Sequence, residues 1–128
     1  MIDQNAAIAK VKEFLKRFSA MDFDRLRPLL ADDMVATAPY SDVYPEISSA
    51  EAFLEYMSGV VLGFVKKINF IVDAAFFDPQ AQTAIVEFHN RGMRVDGRPY
   101  ENDYVWIFSF RDQLISGLKI YYNPVPAA

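Results

Sequence analysis

The sequence predicts an α+β domain: three N-terminal helices packed on a curved antiparallel sheet. Three observations predict it. Apolar residues recur at helical spacing through the first half of the chain. From Lys67 onward the apolar period shortens to two, as in strands. The stretch from Gly97 to Pro124 reads as two strands joined by a tight turn and stopped by proline. Helices gathered first and strands last make α+β rather than alternating α/β.

Each element has its own local reason. Ile8, Val11, Phe14, Leu15 and Phe18 form one stripe, so residues 3–19 are an amphipathic helix. Asp22 is a plausible N-cap for a second, shorter helix through Leu26, Leu29 and Leu30, with Pro28 imposing an early turn or kink. Ala31-Asp32-Asp33 ends that helix, and Met34 to Thr37 makes a short strand. Ser48 and Glu51 form a capping box that opens a third helix through Phe53, Leu54, Tyr56, Met57 and Val61, with Gly63 at its end. Strands then run from Lys67 to Phe77, Thr83 to Gly92, Tyr100 to Phe110 and Leu114 to Tyr122. Asp96-Gly97 marks one hairpin turn, and Arg111-Asp112-Gln113 marks the last.

The totals exclude several classes. The 128 residues make a single domain, residues 1–128, with one core. A net charge of −4 with no basic run argues against nucleic acid. The chain has no cysteine and one histidine, which disfavours disulfides, thiolate chemistry and zinc. No apolar run is long enough to span a membrane or act as a leader, so a cytoplasmic location is expected. The 11 phenylalanines and 7 tyrosines suit an aromatic-lined cavity, a dense core or a subunit interface.

Three short motifs carry a resemblance: Ala31-Asp32-Asp33 after the helices, Gly97-Arg98-Pro99-Tyr100-Glu101-Asn102, and the closing Tyr121-Tyr122-Asn123-Pro124. In this order they resemble the SnoaL-like branch of the nuclear transport factor 2-like superfamily. The resemblance covers nearly the whole chain. It implies a cone-shaped α+β half-barrel with a small-molecule pocket, no cofactor, and a homodimer paired through the convex face that carries Val105 and Ile107. The fold hosts many functions, so it does not by itself name one.

The catalytic positions of the better-known relatives are mostly replaced here. Where ketosteroid isomerases carry a helix-1 Tyr, a base Asp and a second acid, this chain resembles them with Phe14, Ala38 and Trp106. None of the three can take the corresponding polar role. Against the phenazine-biosynthesis PhzA/PhzB-like group, the pocket Glu becomes Ile120 and a helical His becomes Leu54, while Tyr100 matches. The SnoaL-like polyketide cyclases use a His-Asp pair on the strands, and His89 lies near the matching His, with Asp103 on the next strand.

The candidate catalytic residues are therefore His89, Asp42 and Asp103. His89 has an imidazole suited to acid–base work near neutrality. It shares a strand face with Glu87 and Arg91, so the outer or interface face is the favoured placement and the pocket the alternative. Asp42 sits in a loop with Tyr40, Ser41 and Tyr44, where turn chemistry competes with a role as base. The candidate pocket-lining residues are Phe14, Phe18, Ala38, Tyr40, Tyr56, Asn102, Tyr104, Trp106, Ile120 and Tyr122. Three functions stay open: cofactor-independent isomerase, cyclase or lyase chemistry on a hydrophobic polyketide-like or aromatic compound, binding of such a compound without turnover, and a structural dimerisation domain.

Overall fold

A computed structural model of the chain describes residues 1–41 and 44–127. Helix α1 spans Gln4–Ser19, with the Asp3 carboxylate accepting from the Ala6 amide at 2.8 Å as its N-cap. Its apolar stripe buries Ala7, Val11, Phe14, Leu15 and Phe18.

The second helix is a 3-10 helix, Phe23–Leu29, rather than an α-helix. Its buried residues, Phe23, Leu26 and Leu29, fall three apart, the period of a 3-10 turn. Pro28 lacks the N–H that an α-helical interior requires. Asp22 stands at the N-cap position but makes no capping hydrogen bond; its carboxylate lies 3.9 Å from Arg25. The chain passes straight into strand β1, Leu30–Thr37, so Ala31-Asp32-Asp33 is strand and not helix end. The exposed Asp32 and Asp33 pair with Arg27 and Arg111.

Helix α2 spans Ala50–Phe64, capped by Ser49, whose hydroxyl accepts from the Ala52 amide at 3.1 Å. The Ser48 capping box does not form: Glu51 turns instead to Arg27, 2.8 Å away. Gly63 lies inside the helix, and the extended backbone of Val65 ends it.

The strands are β2 (Val65–Lys67), β3 (Phe70–Asp78), β4 (Thr83–Arg94), β5 (Pro99–Arg111) and β6 (Leu114–Tyr122). The sheet runs β1-β6-β5-β4-β2, with β3 also paired to β4. Strand β1 is parallel to β6, so the sheet is mixed rather than wholly antiparallel. Register shifts between Val72 and Ala74, and between Ser109 and Phe110, accompany its curl. The result is the α+β half-barrel, with helices in the concave face.

Two glycines answer to local geometry. Gly97 adopts φ 88° in the β4–β5 turn, a conformation that favours a residue without Cβ. At Gly92 a Cβ would overlap the Lys67 carbonyl, so its absence lets β2 close on β4. The core centres on Phe14, whose ring meets Phe18, Phe53, Trp106 and Phe108 at centroid distances of 6.1, 6.4, 6.4 and 5.3 Å.

Candidate functional site

A cavity of about 210 Å³ opens between α2 and the concave face of the sheet. Helix α2 forms one wall with Tyr56, Met57, Val60, Val61 and Phe64. These positions follow helical spacing along a single face. The facing wall comes from alternate residues of neighbouring strands: Tyr104 and Trp106 on β5, Ile120 and Tyr122 on β6. Pairing puts Trp106 opposite Ile120, and Tyr104 opposite Tyr122. Phe18 of α1 and Phe70 of β3 stack at 5.5 Å and close one side, while Tyr44 closes the loop side.

The wall is aromatic and aliphatic with a few polar atoms. Tyr100 Oη accepts from Asn102 Nδ2 at 2.7 Å, and the Tyr104 hydroxyl lies 3.5 Å from it. Asn90 is consumed by the backbone: its Oδ1 accepts from the Asn69 amide at 2.8 Å, and its Nδ2 donates to the Tyr100 carbonyl at 3.3 Å. Trp106 is 3% exposed, and its Nε1 is the one buried side-chain nitrogen or oxygen without a partner among the described residues. Burial pushes the Tyr104 and Tyr44 hydroxyls above the ordinary phenol range, so both stay protonated at neutral pH. Among the described lining residues no carboxylate, imidazole or cationic side chain appears.

Of the residues singled out from sequence, Phe18, Tyr56, Tyr104, Trp106, Ile120 and Tyr122 stand in this wall. Phe14 stands behind it in the core, sealed by its four aromatic neighbours. Ala38 is buried but away from the wall. Tyr40 is a clip: its hydroxyl donates to the Tyr122 carbonyl at 3.0 Å and accepts from the Tyr122 amide at 3.1 Å. Its ring stacks on Tyr121. Asn102 is also spent on structure, with Nδ2 donating to Tyr100 Oη and to the Asn123 carbonyl.

The structure puts His89 and Asp103 on the outer face. They pair across β4 and β5 on the side opposite the buried Phe88 and Tyr104. His89 Nδ1 lies 2.8 Å from Asp73 Oδ2, also on that face, and neither His89 nor Asp103 reaches the cavity. The physical reason is the two-residue period: β4 runs without a bulge against β5, so the parity of His89 is fixed by the buried Val86, Phe88 and Asn90. Asp42 lies outside the described residues. The α2 wall residues Met57, Val60, Val61 and Phe64 were legible as a helical stripe, 56/57/60/61/64, though the same spacing also describes plain core. Tyr100 carried a signal only through its motif.

The SnoaL-like domain model matches residues 11–118, and the chain belongs to that family. A comparison with curated protein sequences gives no match. Solved structures share the fold. A candidate isomerase from Bacillus subtilis aligns with a TM-score of 0.87 at 22% identity, over 98% of this chain and 92% of that one. AusH from Aspergillus nidulans aligns at 0.82 and 16% identity, over 96% and 87%. An LEH-like epoxide hydrolase from M. tuberculosis aligns at 0.74 and 17% identity, over 95% and 86%. At these identities the likeness speaks for fold alone. Among the described residues no helix is long and apolar enough to cross a membrane, and no cluster of acidic and histidine side chains is placed to hold a metal ion.

Proposed function

We propose that this SnoaL-like protein holds a small, mostly apolar compound of one or two rings in the cavity between α2 and the sheet. The observation that carries the reading is the chemistry of the wall: aromatic and aliphatic side chains around about 210 Å³, with tyrosine hydroxyls as the only ionisable groups among the described lining residues. A dry cavity of ~150 Å³ is known to admit benzene, so this volume suits a somewhat larger ring system. Apolar burial drives such binding, and the few polar atoms set orientation. Sequestration is favoured over acid–base turnover because His89 and Asp103 face outward. A turnover role would fall to Asp42, and Asp42→Asn separates the two: a bound compound processed by the wild type and only bound by the variant would favour turnover.

Two copies pairing across the outer face belong to the same reading. Phe76, Ile85 and Val105 are 64%, 43% and 37% exposed there, with Lys119 at one side and Glu87 and Asp103 at the other. A two-fold axis would bring opposite charges together. Sedimentation velocity of Phe76→Glu tests it; an unchanged dimer would move the interface elsewhere.

The first test is native mass spectrometry of freshly purified protein, followed by solvent extraction. An apolar compound at one per subunit is expected. Protein that carries none, and that shows no thermal shift with saturating indane, would defeat the binding reading.

A further inference from the structure

We infer that the C-terminal end of α2 and the β4–β5 turn beside it form a membrane-docking surface, whose partner is a bilayer bearing anionic headgroups.

The apolar part of this surface is the end of the helix. No charged residue stands between Glu55 and Lys66, a run that takes in the last turns of α2. The acids of the helix, Glu51 and Glu55, lie in its earlier turns. Phe53 and Met57 are buried and anchor those turns, whereas Val60 and Leu62 are each about half exposed. Two residues apart, they stand on nearly opposite sides of the helix. The end of α2 therefore shows apolar side chains to water on both sides, where a surface helix ordinarily turns a polar face. Val95, also about half exposed, carries the surface across to the β4–β5 turn, since its amide donates to the Phe64 carbonyl at 3.0 Å. The Arg94 guanidinium lies over the Phe64 ring, 4.6 Å from its centroid.

Cations surround this apolar end. Lys66 and Lys67 follow α2 directly; both are exposed, and neither has an ion-pair partner among the described residues. Arg94 and Arg98 flank the turn with Asp96 between them, at 3.7 and 2.8 Å. Glu101 is the other acid near the turn, and it stands opposite Arg91 in the β4–β5 register. The positive surplus is local, on a chain whose net charge is −4, so it orients the molecule toward a negative surface. A second copy laid against this end would set cation against cation. An anionic bilayer meets both features together. Its acyl boundary takes Val60, Leu62 and Val95, and its headgroups take the lysines, whose long stems keep the charge at the interface. At 15 residues α2 is shorter than the ~20 a span needs, so the contact is interfacial. Val60 and Phe64 also belong to the cavity wall, so docking sets the α2 side of the cavity against lipid, where apolar compounds collect.

The test is flotation of the full chain, without added ligand, with vesicles of two compositions: phosphatidylcholine alone, and phosphatidylcholine with one third phosphatidylglycerol. At ~0.1 M salt, where charges act over ~10 Å, the protein is expected to float with the anionic vesicles and to bind the neutral ones at least tenfold more weakly. At ~1 M salt, where that range falls to ~3 Å, most of the difference should vanish. Lys66→Gln combined with Lys67→Gln should weaken binding to the anionic vesicles about 25-fold, about fivefold for each cation. Leu62→Ser should weaken binding to both compositions several-fold. Lys10→Gln is the control: Lys10 donates to the Gln113 carbonyl at the β5–β6 turn, the far end of β5, and its loss should leave binding unchanged. Failure to float with the anionic vesicles at low salt overturns the inference, and so does binding that neither Leu62→Ser nor the lysine pair weakens. If Leu62→Ser instead breaks up a self-associated wild type in sedimentation velocity, a second copy covers the surface and the inference falls. Leu62, Lys66 and Lys67 are exposed, and the wild-type dependence on salt and headgroup decides the matter even if a variant folds poorly. No cavity ligand enters these measurements, so their failure leaves the reading of the cavity standing.

Discussion

Asn102 Nδ2 donates to the carbonyl of Asn123 at 2.8 Å, joining β5 to the residue just past the end of β6. The same nitrogen reaches Tyr100 Oη at 2.7 Å, and Asn102 Oδ1 accepts from the Asp103 amide at 2.8 Å. Two of the three sequence motifs that carry the family resemblance thus meet in space through one buried side chain. Their role is to close the open end of the sheet and to fix the Tyr100 hydroxyl at the cavity wall.

Asn102→Ala should therefore destabilise the fold by about 1–3 kcal/mol, since it strands the buried Tyr100 hydroxyl, gives up the part-buried bond to the Asn123 carbonyl and removes a packed amide. Urea denaturation measures this. Limited proteolysis should show the segment after Tyr122 cut before the rest. An unchanged midpoint would mean that water replaces the amide at no cost.

Alkaline behaviour follows from the buried phenols. Burial raises the folded-state pKa of Tyr44 and Tyr104 above the ordinary value of ~10. Because the folded value is the higher, the stability these neutral hydroxyls carry is fully present below about pH 10 and is lost as pH rises toward the folded values. Phenolate absorbance should show Tyr44 and Tyr104 ionising only as the protein unfolds. Reversible ionisation of all seven tyrosines in the folded state would contradict their burial.

Gly92→Ala should cost about 1–3 kcal/mol, because the added Cβ overlaps the Lys67 carbonyl and forces β2 away from β4. Hydrogen exchange would find the loss confined to Val65–Lys67 and its β4 partners. Gly59→Ala is the control: its Cβ would meet nothing within 4 Å, and in a helix it should stabilise by ~0.5–1 kcal/mol.

Val61→Phe should fill part of the cavity from the α2 side, where Val61 is half-buried in the wall. Indane affinity is expected to fall by about tenfold or more, a loss of roughly 1.4 kcal/mol. The thermal midpoint should hold, because the larger ring occupies open volume. Unchanged affinity would put the binding site elsewhere.

The sequence by itself determined the α+β class, the order of helices and strands apart from the short β2, and which face of β5 turns inward; the single strand expected from Lys67 to Phe77 is two, Val65–Lys67 and Phe70–Asp78. The class, the order and the facing follow from local periodicity, which each segment carries within itself. The chain's resemblance to the ketosteroid isomerases implies that their acid–base positions fall on Phe14, Ala38 and Trp106. Local competition decided finer points that the sequence left ambiguous. The three-residue spacing of Phe23, Leu26 and Leu29 chose a 3-10 helix over an α-helix, and Arg27 drew Glu51 away from a capping box. Only the tertiary structure decided the rest. The parallel pairing of β1 with β6 is a contact between distant segments. The α2 stripe lines a cavity as well as joining the core, and that depends on how the sheet faces it. The assignment of Asn102 and Tyr40 to structure, and of Trp106 to an unmet donor, depends on partners up to 82 residues away. A residue's period tells which way it points; what waits there is set by the packing of the whole chain.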